Sequence, residues 1–400
     1  MDVQSDKIRY SGEVKTSLTN KVLDRFKSQG LFRGKVYSVK HETELSISKS
    51  QLKAVISKGF RRLDGKDFGS STTVKIRRGF RTKKIQVQIL KNVDGTPSVK
   101  LHYQKEGKEL GAGSYGVVTD SMGLHTGRRE VKKTLLFGGD DLAKERDMLE
   151  TLHKKIKETP GLEKLITPSG KAFLPIIKPP SGFEATETGE VKGIYLEKGT
   201  EGTLFNALGE STLTQKDKVQ IFQDVLTSVQ ILESCDFHHL DLKPDNIVIV
   251  EVGGEKRAKL IDFGNSNPSY GDMPANQRRP MPTGAPRYMD AYSSDVLQHY
   301  NVIIWNGDDP ERGPMLDKEM TRRDRVALSR VLVELVLNPE QIQVFPADNN
   351  TSARWEPKFG DNVELKEIYD FLNQIPGDGV PLPPLSDLQE KVAILLRSLE

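Results

Sequence analysis

The chain has 400 residues, with 59 Lys and Arg against 56 Asp and Glu, a formal net charge of +3, 36% hydrophobic and 29% charged residues. That balance is ordinary for a soluble globular protein; it excludes a histone-like or wholly acidic chain and allows two or three compact units. No apolar run approaches the ~18–20 residues that a membrane-spanning helix needs, and Met1 to Tyr10 is too polar for a secretory signal. The single cysteine, Cys235, excludes an internal disulfide and any Cys/His zinc spacing, so a reducing, cytoplasmic compartment is expected.

The near-neutral total conceals two parts of opposite sign. Residues 1–100 carry 23 Lys and Arg against 9 Asp and Glu, a net of +14, whereas residues 101–400 carry 36 against 47, a net of −11. A switch of this size predicts a boundary near residue 100, with a basic accessory region over 1–104. Short amphipathic helices are predicted over 20–32 and 49–59. Strands are predicted at Thr73–Ile76, Ile85–Leu90 and Val99–Tyr103, the last two joined as a hairpin by the turn signal Val93-Asp94-Gly95-Thr96-Pro97. Arg61, Arg62, Lys75, Arg77, Arg78, Arg81, Lys83 and Lys84 cluster there. Solvated strand faces explain them as well as a binding patch does; if they bind, an acidic partner or an anionic surface is expected rather than nucleic acid. Pro168–Glu190 and Asn267–Pro286 read as largely loop from their composition, as does much of Pro346–Gly360.

Next in chain order is Leu110-Gly111-Ala112-Gly113-Ser114-Tyr115-Gly116-Val117-Val118. Three glycines in this frame occur by chance about 0.25 times in such a chain, so the pattern alone is weak. Its glycines let backbone N–H groups approach phosphate oxygens without interference from a Cβ. A dinucleotide-binding loop would open a helix, whereas Val117-Val118-Thr119 reads as a strand.

The segment His239-Leu240-Asp241-Leu242-Lys243-Pro244-Asp245-Asn246 is far more specific. Its D-L-K-P-x-N frame arises by chance on the order of 10⁻⁴ times. Asp262-Phe263-Gly264 begins sixteen residues after Asn246. With these motifs in order, the chain resembles the catalytic domain of eukaryotic-type protein kinases from about residue 105 to at least 337. The resemblance implies a bilobal α+β fold: a small β-rich lobe and hinge over 105–199 and a mainly helical lobe over 200–400, short and rearranged after about residue 290.

Further parts follow from that resemblance. The strand lysine lies in Arg129-Glu130-Val131-Lys132-Lys133. Side chains of a strand alternate faces, so choosing Lys133 puts Val131 against adenine, while choosing Lys132 puts Glu130, an unpaired charge, against an apolar base. Lys133 is favoured and Lys132 stays open. Its partner is expected to be Glu145, which shares a helical stripe with Leu142, Leu149 and Leu152, with a surface role for that Glu as the bland alternative. In Ile194-Tyr195-Leu196-Glu197-Lys198-Gly199 the hinge register implies that Leu196 guards the back pocket and that the Glu197 carbonyl and Gly199 backbone bond the adenine edge. Gly111, Gly113, Gly116, Val118 and Val131 complete the nucleotide contacts.

The resemblance further implies that Asp241 orients the substrate hydroxyl and accepts its proton, that Lys243 contacts the γ-phosphate, and that Asn246 and Asp262 hold Mg²⁺ for transfer from ATP. A Lys two residues after the aspartate is similar to Ser/Thr rather than tyrosine kinases, so a protein substrate is expected. His239 reads as a packing residue and Cys235 as a small buried one.

Three departures from the family pattern carry expectations of their own. Leu240 stands where an arginine usually precedes the aspartate, which implies activity without activation-segment phosphorylation. Ala285 occupies the usual Thr position of the docking loop Gly284-Ala285-Pro286-Arg287-Tyr288-Met289, with Thr283 two residues away. The helix that anchors the lower lobe is placed over Asp324–Glu334, with Ser294-Asp295-Val296 as a weaker alternative start. Such divergence would suit a specialised kinase, for instance a secreted effector working in a host cytosol. The competing expectation is a pseudokinase scaffold that acts through its basic leader.

Overall fold

The fold comes from a computed structural model. It describes residues 33–38, 43–48, 54–55, 57–59, 62, 71–78, 81–91, 97–103, 109–112, 116–122, 129–135, 141–166, 173–185, 190–269, 285–289, 312–346, 353–375, 381–388, 390–392 and 394. The chain divides into two compact units, residues 1–146 with 178–198 and residues 147–177 with 199–400.

The first unit is built on strands. β1 (Arg33–Ser38) and β2 (Thr43–Ser48) form a separate antiparallel pair. β3 (Ser71–Arg78), β4 (Arg81–Lys91) and β5 (Pro97–Tyr103) come next in the chain, then β6 (Glu109–Ala112), β7 (Gly116–Met122) and β8 (Arg129–Leu135). Helix α1 (Asp141–Glu158) comes next in the chain and crosses into the second unit at Asp147, and the short α2 (Leu162–Ile166) belongs to that second unit. β9 (Gly182–Ala185) and β10 (Val191–Glu197) close one sheet in the order β3-β4-β9-β10-β8-β7-β6, with β5 on β4. The predicted leader strands and the 85–103 hairpin are all present. They are continuous with the sheet of the kinase-like region, because Lys91 of β4 pairs with Phe183 of β9. The charge switch near residue 100 is therefore no break in the sheet: a ladder needs alternating apolar positions on its buried face, and the charge of the solvent face is free to change sign along the chain. The predicted helix over 20–32 lies outside the described residues, whereas residues within 54–59 are helical.

The second unit is mainly helical. α3 (Leu204–Gly209) and α4 (Gln215–Ser234) lead to β11 (Phe237–His238), succeeded by β12 (Ile247–Val252), β13 (Glu255–Leu260) and β14 (Asn267–Pro268). The long α5 (Arg312–Val336), the β15 (Ile342–Pro346)/β16 (Ala353–Pro357) hairpin and α6 (Val363–Leu372) complete it. α4 opens with a reciprocal cap. The Thr214 hydroxyl accepts from Asp217 N at 3.1 Å and the Asp217 carboxylate accepts from Thr214 N at 2.9 Å, an arrangement worth about 1 kcal/mol. Its buried Asp224 takes the Arg257 guanidinium at 2.6 Å and the Ala258 N–H at 2.8 Å, which fastens the β12/β13 hairpin to the helix.

Three expectations need correcting. β9 and β16 are strands within segments read as loop, because pairing with β10 and β15 outweighs local Pro and Gly content. The anchor helix begins at Arg312 rather than near Asp324, since Pro314 lies in its first turn, where a missing N–H costs nothing. The alternative start at Ser294 lies outside the described residues.

Candidate active site

The predicted site residues form two groups, one in each unit. In the first, the β7/β8 register sets Val118 opposite Lys133, and the β8/β10 register sets Ile194 opposite Lys133 and Leu196 opposite Val131. Cross-strand partners share a face, so Val118, Val131, Lys133 and Leu196 line one side of the sheet. Lys133 Nζ lies 2.8 Å from Oε2 of Glu145, which is only 1% exposed on α1. Lys132, on the opposite face, meets Glu184 at 2.5 Å, and Glu184 also accepts the Tyr195 hydroxyl at 2.7 Å. Burial, then the Glu184 carboxylate, pushes the Tyr195 phenol well above its usual range. The two adjacent lysines thus serve different carboxylates on different faces, and Lys133 is the one that pairs with Glu145.

Among the loop glycines, Gly111 ends up opposite Val118 and Gly113 lies outside the described residues. Gly116 has a reason of its own: a Cβ there would come within 2.5 Å of the Thr134 carbonyl oxygen, so strand packing alone demands glycine. Gly199 is similar, for a Cβ would sit 2.9 Å from Val248 Cβ on β12.

In the second unit the β12/β13 hairpin explains why residues sixteen apart act together. Ile247 pairs with Leu260, and Ile261 N donates to the Asn246 carbonyl at 2.9 Å, so Asn246 and Asp262 flank the base of one hairpin. Asn246 Nδ2 donates to the Asp241 carbonyl at 2.8 Å and to Asp241 Oδ2 at 3.0 Å. Lys243 Nζ reaches the same Oδ2 at 2.8 Å. Asp241 Oδ1 accepts the backbone N–H of Ala285 at 3.0 Å. Both oxygens of this carboxylate are thereby oriented, and the donor at the usual Thr position is main chain.

The loop that carries Asp241 is held from behind. Asp324 of α5 is buried and accepts from His239 N at 2.7 Å and Leu240 N at 2.8 Å, while Arg323 donates to the Leu240 carbonyl at 2.9 Å. Burial pushes the Asp324 carboxyl up, opposed by His239, by these two N–H groups and by Arg323. Leu240 sits at φ 65° and Asp262 at φ 63°. A side chain in the left-handed region costs about 1–2 kcal/mol, which the anchoring bonds around Leu240 offset. Leu240 itself is buried. His239 Nε2 lies 3.0 Å from the Ile261 carbonyl; a carbonyl only accepts, so Nε2 carries the hydrogen and Nδ1 accepts the Asp241 N–H at 3.3 Å. With its ring edge-on to Phe263 at 4.9 Å, His239 is a packing residue. Cys235 is buried too, and burial raises its thiol.

The docking segment is clamped to α5 and β16. Tyr288 OH donates to Glu334 at 2.6 Å, Arg287 meets the same carboxylate at 3.0 Å, and Trp355 Nε1 and Arg330 each donate to the Arg287 carbonyl at 2.8 Å. Asp324, Ala285 N, Arg330 and Trp355 were not legible as site-supporting groups. A carboxylate inside an almost wholly apolar helix was the one available signal for Asp324, because a buried charge must find donors.

The donor chemistry at the hairpin base suits Mg²⁺. Both Asn246 bonds to Asp241 use the amide nitrogen, so its carbonyl Oδ1 is the end that Asp241 does not engage. With the Asp262 carboxylate this makes two hard oxygen donors, a set that Mg²⁺ takes when phosphate oxygens and waters complete its shell.

Comparison with known proteins agrees with this geometry. Residues 104–290 match the family model of the protein kinase domain. The chain is 33% identical over 114 residues to the interferon-induced, double-stranded RNA-activated protein kinase of Rattus norvegicus, covering 28% of this chain and 21% of that one. It is 26% identical over 293 residues to casein kinase I homolog 2 of Saccharomyces cerevisiae, covering 71% and 45%. The chain therefore spans between about a fifth and a half of the length of these two relatives. The solved structure of vaccinia related kinase 3 matches with a TM-score of 0.51 at 14% identity, covering 78% of this chain and 90% of that one, which shows the fold. Over residues 104–290 the chain is thus similar to protein kinase domains, and the relatives it resembles include serine/threonine kinases.

Proposed function

We propose that this protein transfers the γ-phosphate of ATP to serine or threonine hydroxyls of a protein substrate. The observation that carries the reading is the Asp241 carboxylate, with Oδ2 against Lys243 at 2.8 Å and Asn246 at 3.0 Å and Oδ1 against Ala285 N at 3.0 Å. A carboxylate fixed at both oxygens can orient a hydroxyl and accept its proton while the substrate oxygen bonds to the γ-phosphorus and the β–γ bridging oxygen departs with ADP. Lys243 supplies positive charge where the phosphoryl group passes. Lys133, held by Glu145, takes the α- and β-phosphates; Val118, Val131 and Leu196 offer apolar contacts to the base, and the Glu197 carbonyl and Gly199 backbone bond its edge. Asn246 and Asp262 would hold Mg²⁺, which when bound neutralises charge on the phosphate oxygens.

Activity independent of activation-segment phosphorylation belongs to the same reading. A phosphate on that segment normally finds a cation beside the catalytic aspartate. Here Leu240 is buried and apolar, and the nearby Arg323 guanidinium is committed to the Leu240 carbonyl.

The test is incorporation of labelled phosphate from ATP into a generic basic or acidic protein substrate, comparing the full chain with Asp241→Ala. Loss of ~10²-fold or more supports the reading. Equal incorporation by both proteins would show that the activity is not this site's and would leave the scaffold reading.

A further inference from the structure

Successive positions of a helix point about 100° apart, so the neighbours Arg323 and Asp324 of α5 reach the loop of Asp241 from two sides. Asp324 takes the N–H groups of His239 at 2.7 Å and Leu240 at 2.8 Å, which belong to the two peptides before the Leu240 Cα. Arg323 donates to the Leu240 carbonyl at 2.9 Å, which belongs to the peptide after it, the one that delivers Asp241. The N–H of that same peptide reaches His239 Nδ1 at 3.3 Å. Of these two bonds on the Leu240–Asp241 peptide, the shorter comes from Arg323.

Leu240 stands at φ 65°, a conformation that a residue with a Cβ keeps only where its surroundings hold it. Rotation about its Cα–C bond turns the Leu240–Asp241 peptide and with it the direction in which the Asp241 side chain sets out. Stability is a poor account of an arginine here. Arg323 is only 3% exposed, and well-packed apolar side chains often fill such buried positions at no loss of stability. Burial pulls the guanidinium down, and the charges of Asp324, Asp241 and Glu319 oppose that shift in this order, so the Asp241 carboxylate is one of the anions that answer Arg323. Arg325, two positions on, is the contrast. Buried as deeply, it holds Glu233 through two bonds of 2.7 Å and the Pro383 carbonyl at 2.6 Å, which ties α5 to α4 and to residues 381–388 rather than to the loop.

We propose that Arg323 is a positioning residue for phosphotransfer, fixing the Leu240–Asp241 peptide by its carbonyl and so aiming the Asp241 carboxylate. The inference rests on the proposed reading of Asp241 as the group that orients the substrate hydroxyl. The two neighbours on α5 divide the work: Asp324 sets the chain up to Leu240, and Arg323 sets the step from Leu240 to Asp241. A guanidinium suits this task because its planar fork holds the donor in one direction, whereas an ammonium on a four-carbon stem does not. Acting through Asp241, Arg323 affects turnover and not the binding of either substrate.

The experiment measures kcat, KM for ATP and for a protein substrate, and thermal midpoint for the full chain and for Arg323→Lys, Arg323→Met, Arg325→Lys and Asp241→Ala. Arg323→Lys keeps the charge and one donor, and its kcat is expected to fall several-fold; Arg323→Met keeps neither, and a fall on the order of 100-fold is expected. Both KM values should stay within about twofold of the parent's. Backbone amides over residues 238–246 should exchange faster with solvent in Arg323→Met. Arg325→Lys should lower the thermal midpoint and leave kcat at the parent's value, as a merely structural arginine does. Parental kcat in a folded Arg323→Met, or a loss that shows in KM alone, would overturn the proposal. If Arg323→Met does not fold, Arg323→Lys decides, and parental kcat there overturns it. So does an Arg325→Lys that slows turnover as much as Arg323→Lys, since any loosening of α5 would then have the same effect. Phosphate transfer by Asp241→Ala at the parent's rate sinks the reading of the site and this inference together, whereas an inactive Asp241→Ala beside a fully active Arg323→Met sinks this inference alone.

Discussion

The backbone N–H of Ala285 donates to Asp241 Oδ1 at 3.0 Å, so a main-chain group holds the carboxylate that the proposed reading makes the proton acceptor. Ala285 has φ −64° and ψ 119°, values that proline adopts freely. Ala285→Pro therefore removes the donor with little backbone strain. Turnover is expected to fall roughly tenfold, the worth of one hydrogen bond to a charged group, with nucleotide affinity and thermal midpoint nearly unchanged. Ala285→Ser keeps the N–H and should retain turnover. A proline variant as fast as the parent would show that this bond does not position Asp241.

The neighbouring lysines should separate cleanly. Lys133→Met strips the cation from Glu145 and is expected to abolish phosphotransfer and weaken ATP binding. Lys132→Met leaves that pair intact and deprives Glu184 of its cation, which should cost about 1–3 kcal/mol in urea unfolding while phosphotransfer persists. The opposite pattern of activities would reassign the strand lysine.

Asp324 accepts two backbone N–H groups through separate oxygens. Asparagine has one acceptor, and its amide would face the second N–H donor to donor. Asp324→Asn is expected to destabilise the second unit by about 2–4 kcal/mol and to slow turnover by releasing Leu240 from its left-handed conformation. Chemical denaturation of the full chain reads the first effect and a phosphate-transfer assay the second.

His238 gives a dependence on pH. Its ring is buried, both ring nitrogens lack a hydrogen-bond partner among the described residues, and the Asp317 carboxylate stands 3.9 Å from Nε2, too far for a bond. Burial, and then the Lys155 charge, pulls the group down from 6.5 to about 4. Between those values the unfolded chain binds a proton that the folded one refuses. The neutral ring's contribution is therefore complete above about pH 6.5 and is lost as pH falls towards 4, by about 3 kcal/mol in all. His238→Phe should flatten that part of the stability profile, and parallel profiles for the two proteins would contradict the assignment.

Leu240 and Arg323 together predict that Thr283→Ala stays active, measured on protein expressed without any other kinase. A folded but inactive variant would mean that segment phosphorylation is required after all.

Helix α1 and the loop of Asp241 were legible because each rests on local spacing. The stripe Leu142, Glu145, Leu149 and Leu152 foretold α1, and the D-L-K-P-x-N run foretold the loop whose Asp241, Lys243 and Asn246 meet within 3.0 Å. β9, β16 and the continuity of the leader with the main sheet were not legible, because a strand among Pro and Gly residues is stabilised by a partner distant in sequence. The role of Ala285 was not legible for a different reason: its contribution is a backbone N–H, which every residue but proline possesses.

Counting residues determined the charge division, the order of the motifs carried the resemblance that implies the site residues, and the cost of an unpaired charge favoured Lys133. Only the tertiary structure decided that Lys132 has its own carboxylate in Glu184, that Asp324 carries the catalytic loop, and that Gly116 and Gly199 are required by neighbouring strands. Those are contacts between segments from about 20 to 85 residues apart, and a one-dimensional pattern carries no information about which distant partner satisfies a buried polar group.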